Sequence, residues 1–352
     1  MTDLFAGVLQ IRTPQDLLAF VPYVLGFTPA DSLVAIALDG DRIVVSARAD
    51  LPDPADTGAV RGAAASVAKL SVRQKPTQVI LIGYGQPARV QPVLDAAHAT
   101  VAVAGVPVER FRVTGDRFYR DDCPDSCCPA EGTPFDPAGS PVAAHAVYAG
   151  LEALPDRQAL VAQLTPVDGP ARAAMNAATE GAVARMLALL HPSPADPAGA
   201  APEDATKAAH TGSTPMPDRT SAATVEQAGR QAVTDALRRY QQGGQLTDDE
   251  AAWLSVLLVH LPTRDHAWRH TDSAEHHVRL WTDLTRRADP QLVAAPASLL
   301  AFAAWRRGDG LRASIALQLA RHADPQYSMA RLLHQMVQAA IPPSAVDWTA
   351  PD

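Results

Sequence analysis

Between residues 191 and 221 the chain changes character. Six prolines (192, 194, 197, 202, 215 and 217) alternate with Ala, Gly, Ser, Thr and Asp, and large apolar side chains are scarce. Such a stretch cannot bury enough surface to offset the entropy of ordering it. It is expected to be a flexible linker, and it divides the chain into an N-terminal part, residues 1–190, and a C-terminal part, residues 222–345. Each part is long enough to bury its own core.

The N-terminal part reads as a layered α/β domain. Thr13 is a good helix N-cap, with Pro14 at the first helical position and Asp16 in the first turn, so a helix is expected over about residues 14–20, stopping before Pro22. Two β-rich runs, Asp31–Leu38 and Arg42–Leu51, flank Asp39-Gly40-Asp41 and predict a hairpin. An Ala-rich helix is expected over 56–74, and Gln78–Gly85 reads as a short apolar strand, as a buried central strand should. A helix over about 88–104 and one or two strands in 106–120 complete the order β-β-α-β-α-β. Residues 141–150 and 157–190 are helical in pattern and trail this domain.

Everything after Ala222 reads as an all-α helical bundle. Thr247-Asp-Asp-Glu250 is a capping box, and Trp253, Leu254, Leu257, Leu258 and Leu261 follow at helical spacing. Further helices are expected near 274–288, 296–307, 310–323 and 326–340. All five tryptophans lie beyond residue 222, and all three cysteines lie in the N-terminal part.

The cysteines carry the clearest chemistry. Cys123, Cys127 and Cys128 lie within six residues, beside turn-forming Pro124 and Pro129. A structural zinc ion wants four N or S donors. Three are here, and His145, Asp122 or Asp125 could supply the fourth. The same pattern also suits three small thiols packing a turn, or a disulfide from Cys123 to either neighbour. A second cluster, His266 and His270 with Glu275-His276-His277, places two imidazoles four apart on a helix face. It lacks the glutamate of a metalloprotease motif, so a solvated helix face is the plainer reading. Gly83-Tyr84-Gly85 joins a strand to a helix, without a nucleotide-binding fingerprint. Arg48 and Asp50, two apart on one strand, face the same side and could line a polar pocket with Ser32, or form an ion pair that locks the hairpin edge.

A net charge of −8 with no basic segment argues against a nucleic-acid partner. No apolar run is long enough for a membrane span, the first residues lack the layout of a secretory signal, and three clustered cysteines are not a disulfide framework. A cytoplasmic location is therefore expected.

Several runs together resemble a known family. They are Pro22-Tyr23-Val24-Leu25-Gly26-Phe27-Thr28-Pro29-Ala30-Asp31-Ser32-Leu33-Val34, Arg48-Ala49-Asp50-Leu51-Pro52, Cys123-Pro124-Asp125-Ser126-Cys127-Cys128-Pro129, Gly308-Asp309-Gly310 and Ala323-Asp324-Pro325-Gln326-Tyr327-Ser328-Met329-Ala330. In combination they resemble the actinobacterial domain-of-unknown-function family 4192, which implies no activity. Locally, Ala301, Gly308, Ala313, Leu317, Ala320 and Pro325 fall at tetratricopeptide offsets, in a single visible unit. Two functions are expected as alternatives. One is a non-catalytic binding or adaptor protein that uses the helical part for a protein partner. The other is an enzyme or small-ligand-binding protein with its site in the α/β part near the cysteine loop.

Overall fold

The computed structural model describes residues 11–121, 123, 128–191 and 219–346, and the expected linker lies almost entirely outside them. The chain has an α/β N-terminal half built on one six-stranded mixed sheet, and a C-terminal half made of helices. Its described residues form two compact units. One holds the residues up to Gln163 with Ala304–Ile315 and those from Leu332 on; the other holds those of Leu164–Ala303 and Ala316–Arg331.

In the first unit, α1 spans Pro14–Leu25 and opens with a reciprocal capping box between Thr13 and Asp16. The expected stop before Pro22 is not observed, and the helix runs through that proline. Pro22 forfeits one backbone hydrogen bond, but Phe20, Val21 and Leu25 around it are buried and hold the turn in place. Gly26, at φ 78°, ends the helix in the left-handed conformation.

The hairpin forms as expected: β1 (Ser32–Asp39) and β2 (Arg42–Asp50) pair antiparallel around Gly40 and Asp41. The helix α2 (Thr57–Val72) leads to β3 (Gln78–Tyr84), and α3 (Pro87–Ala102) to β4 (Val108–Thr114). Short strands β5 (Arg117–Arg120) and β6 (Thr133–Pro134) finish the sheet. Spatial order is β2-β1-β3-β4-β5-β6. Only β3 and β4 run parallel, which is the pair joined by a helix.

Strand alternation splits the core in two. Leu33, Ala35, Ala37, Val79 and Leu81 meet α2 and α3 on one face; Val34, Ile36, Ile80, Ile82 and Tyr84 meet α1 on the other. At Gly83 a Cβ would lie 2.1 Å from Val90 Cγ1, so only glycine lets α3 sit this close to β3. The helix α4 (Pro141–Tyr148) packs on α1 through Val142 and Ala146, and α5 (Arg157–Ala162) follows.

The second unit contains α6 (Gly169–Leu190), α7 (Arg219–Gln241), α8 (Asp248–Leu257), α9 (Leu261–Arg269) and α10 (Glu275–Arg287). The helices α11 (Ala294–Arg307), α12 (Gly310–Ala323) and α13 (Ser328–Gln338) contribute residues to both units. Ala301, Ala313, Leu317 and Ala320 are all buried. The helix α6 packs on α8 and α7. The segment before it is pinned by Arg172, whose guanidinium donates to the carbonyls of Arg286, Arg287 and Ala288 at 3.0–3.2 Å and so caps the end of α10. The contact of α7 with α9 is close at Gly229, where a Cβ would meet Thr263 Oγ1 at 2.0 Å. No described helix is long and apolar enough to cross a membrane.

Candidate functional site

The pleat of β2 puts Arg48 and Asp50 on the α1 face, and the register sets Ser32 directly across from Asp50. The structure brings these three residues together. Arg48 Nε and Nη2 donate to Ser32 Oγ at 3.1 and 3.0 Å, and Nη2 also pairs with the Asp50 carboxylate at 2.6 Å. Ser32 Oγ in turn donates to the Ala30 carbonyl. Arg48, with a side chain only 11% exposed, lies 5.6 Å from the Phe27 ring centroid. Phe27 is fixed by flanking backbone bonds, Thr28 N–H to Leu154 O and Leu154 N–H to Gly26 O, both 2.9 Å.

Nearby, Arg89 clamps the strand ends by pairing with Asp31 at 3.0 Å and donating to the Leu51 carbonyl at 2.8 Å. Gly85, at φ 136°, would push a Cβ to 2.9 Å from the Asp31 carboxylate. Among the described residues the partners of Ser32 Oγ are a carbonyl and a guanidinium, neither of which can take its proton. The cluster joins β2 to β1 and sets Arg48 against Phe27, just past the end of α1. One group stands apart: Tyr84, across from Ser32 on β3, is buried, and among the described residues its hydroxyl has no hydrogen-bond partner. Burial drives its pKa far above the ordinary phenol value, so it stays neutral.

The cysteine loop is described in part. Cys123 and Cys128 are half-buried, while Cys127, Asp122 and Asp125 lie outside the described residues. His145 sits on the exposed side of α4. Among the described residues no three His, Cys, Asp or Glu side chains gather as metal ligands would.

In the helical unit, His266 and His270 stack with ring centroids 4.0 Å apart, and His270 Nδ1 lies 2.8 Å from the His266 carbonyl. His266 Nε2 is buried, with no hydrogen-bond partner among the described residues. Burial lowers the His266 pKa, and the charges of His270, Arg230 and Arg269 lower it further. His277 Nδ1 accepts from the Asp272 backbone N–H at 2.8 Å, and burial lowers the pKa of that ring against the opposing pull of the Asp272 carboxylate.

A cleft between α6, α7 and α8 was not legible in advance. It encloses about 230 Å³ and is walled by Ala228, Ala232 and Ala236 of α7, with Trp253 of α8 and Arg185 of α6. Trp253 is 8% exposed, and the Arg185 guanidinium carbon stands 4.1 Å from its ring centroid. Asp235 accepts from Gln231 at 2.8 Å and from Arg238 at 3.2 Å. Glu250 closes the Thr247 capping box and pairs with Arg239. Burial alone would raise the Glu250 pKa, but the Thr247 hydrogen bonds and the Arg239 charge outweigh it and the carboxyl is held low. The one sequence trace of this cleft is the four-residue spacing of the alanines.

Residues 14–344 match the family described as Domain of unknown function (DUF4192). No curated protein and no solved structure matches the chain.

Proposed function

We propose that this chain, which belongs to the family described as Domain of unknown function (DUF4192), is a non-catalytic binding protein of the cytoplasm whose helical unit holds a protein partner in the cleft between α6, α7 and α8. The observation that carries this reading is Arg185 lying on the nearly buried Trp253 at the cleft. Trp and Arg are the residues that dominate the binding energy of protein interfaces. The volume of about 230 Å³ falls below the range of roughly 300–1,000 Å³ common to small-molecule pockets. It suits one or two inserted side chains.

The test is a photo-crosslinking amino acid placed at Gln231, in the cleft wall, with a second chain carrying it at Asp50 on the sheet edge as control. Extract from the source cells is expected to give one discrete protein adduct at Gln231, lost when Arg185→Glu is added, and none at Asp50. Adducts at Gln231 that survive Arg185→Glu would remove the cleft from the account.

A second reading, small-ligand binding by the α/β unit, draws on the Tyr84 hydroxyl, unpartnered among the described residues. A metabolite that raises the melting temperature of wild type but not of Tyr84→Phe would favour it.

A further inference from the structure

The charges of the cleft are unequal in how far they are already used. Glu250 is held by Arg239 and by Thr247. Asp235 is held by Gln231 and Arg238. Arg185 is exposed; its guanidinium carbon stands 4.1 Å from the Trp253 ring centroid, and no acceptor pairs with it among the described residues. A guanidinium carries five N–H donors in a planar fork that matches a carboxylate bidentately. The ring contact holds that fork in place, so less side-chain freedom remains to be lost on binding.

Resting on the binding reading above, we infer that the cleft receives an acidic side chain, Asp or Glu, from a segment of the partner protein, paired edge-on with Arg185. A cationic side chain would meet Arg185 while the two carboxylates that could welcome it are already paired. A doubly charged phosphate would gain Arg185 but approach Asp235 and Glu250 in the same small space. A single carboxylate pays least of that repulsion and still uses the fork. The alanines at 228, 232 and 236 leave the depth that its aliphatic stem needs.

The experiment uses the full-length ¹⁵N-labelled chain and two capped peptides, acetyl-Ala-Glu-Ala-Glu-Ala-amide and its Gln counterpart. The resonances followed are Arg185 Nε–H and the Trp253 indole N–H. The Glu peptide is expected to shift both, with the Gln peptide inert. Arg185→Lys, which keeps the charge and loses the fork, should weaken the Glu peptide about tenfold. A Gln peptide that binds as well as the Glu peptide overturns the acidic assignment and leaves the cleft as a binding site. Acetate or inorganic phosphate acting at the same midpoint as the Glu peptide makes this a free-anion subsite and overturns docking of a segment. If no probe moves either resonance, acidic docking is overturned, while the Gln231 crosslink reports on the binding reading separately.

Discussion

The position of α7, and with it one wall of the cleft, depends on Gly229. Replacing it by alanine adds a methyl group 2.0 Å from Thr263 Oγ1 and 2.8 Å from Thr263 Cβ and Cγ2. Thr263 is fully buried, so it has no open space to rotate into, and α7 and α9 must separate. Overpacking a dense interior costs about 1–3 kcal/mol. Alanine in a helix interior recovers about 0.5–1 kcal/mol relative to glycine. The net expectation for Gly229→Ala is a loss of between about 0 and 2.5 kcal/mol. Gly181 supplies the control: it lies in α6 of the same unit, and a Cβ there meets nothing within 4 Å. Gly181→Ala should therefore gain about 0.5–1 kcal/mol from propensity alone. Urea unfolding followed by circular dichroism measures both. A Gly229→Ala chain as stable as Gly181→Ala would refute the close α7–α9 contact.

Three further outcomes are expected. Arg172→Ala removes the cap from the end of α10 and should cost about 1.5–3 kcal/mol, the range for hydrogen bonds to charged groups, read by the same urea titration; Arg172→Lys should not restore it. His266 and His277 are both held below their ordinary pKa when folded, so the unfolded chain binds more protons as pH falls through about 6.5. Stability is then fully present above that pH and declines below it, and His266→Gln with His277→Gln should flatten the decline in melting temperature between pH 7 and 5. Elemental analysis and thiol reactivity decide between the readings of the cysteine loop: about one zinc per chain, with thiols that react slowly until a chelator is added, would assign Cys123, Cys127 and Cys128 to a metal, whereas metal-free folded protein with fast thiols would leave packing or redox chemistry.

The parts of the fold that sequence showed plainly are those governed by short-range rules. The N-cap at Thr13 and the capping box at Thr247 depend on residues at most three apart, and the hairpin on a two-residue turn, so these could be read directly, whereas the reciprocal bond from Asp16 at Thr13 is seen only in the structure. The grouping of Ser32, Arg48 and Asp50 followed from the pleat plus one register. Pro22 misled because its local penalty is offset by burial of its neighbours, which no local rule sees. The cleft was invisible for a related reason. Arg185 and Trp253 are far apart in sequence and meet only because α6 packs on α8. Nothing in the Ala-rich α6, with only Met175 and Ala182 buried, announces which face will do so. Trp253 was recognised as part of an apolar helix face and is buried, but the arginine over its ring is a product of tertiary packing.

Calorimetric titration of the partner recovered by the Gln231 crosslink bears most directly on the account. It is run against three chains: wild type, Arg185→Glu and Arg48→Gln. The account predicts that Arg185→Glu loses binding while Arg48→Gln, altered only in the cluster on the sheet edge, binds with the wild-type Kd. Loss of binding in Arg48→Gln with Arg185→Glu unaffected would place the binding surface in the α/β unit and contradict it.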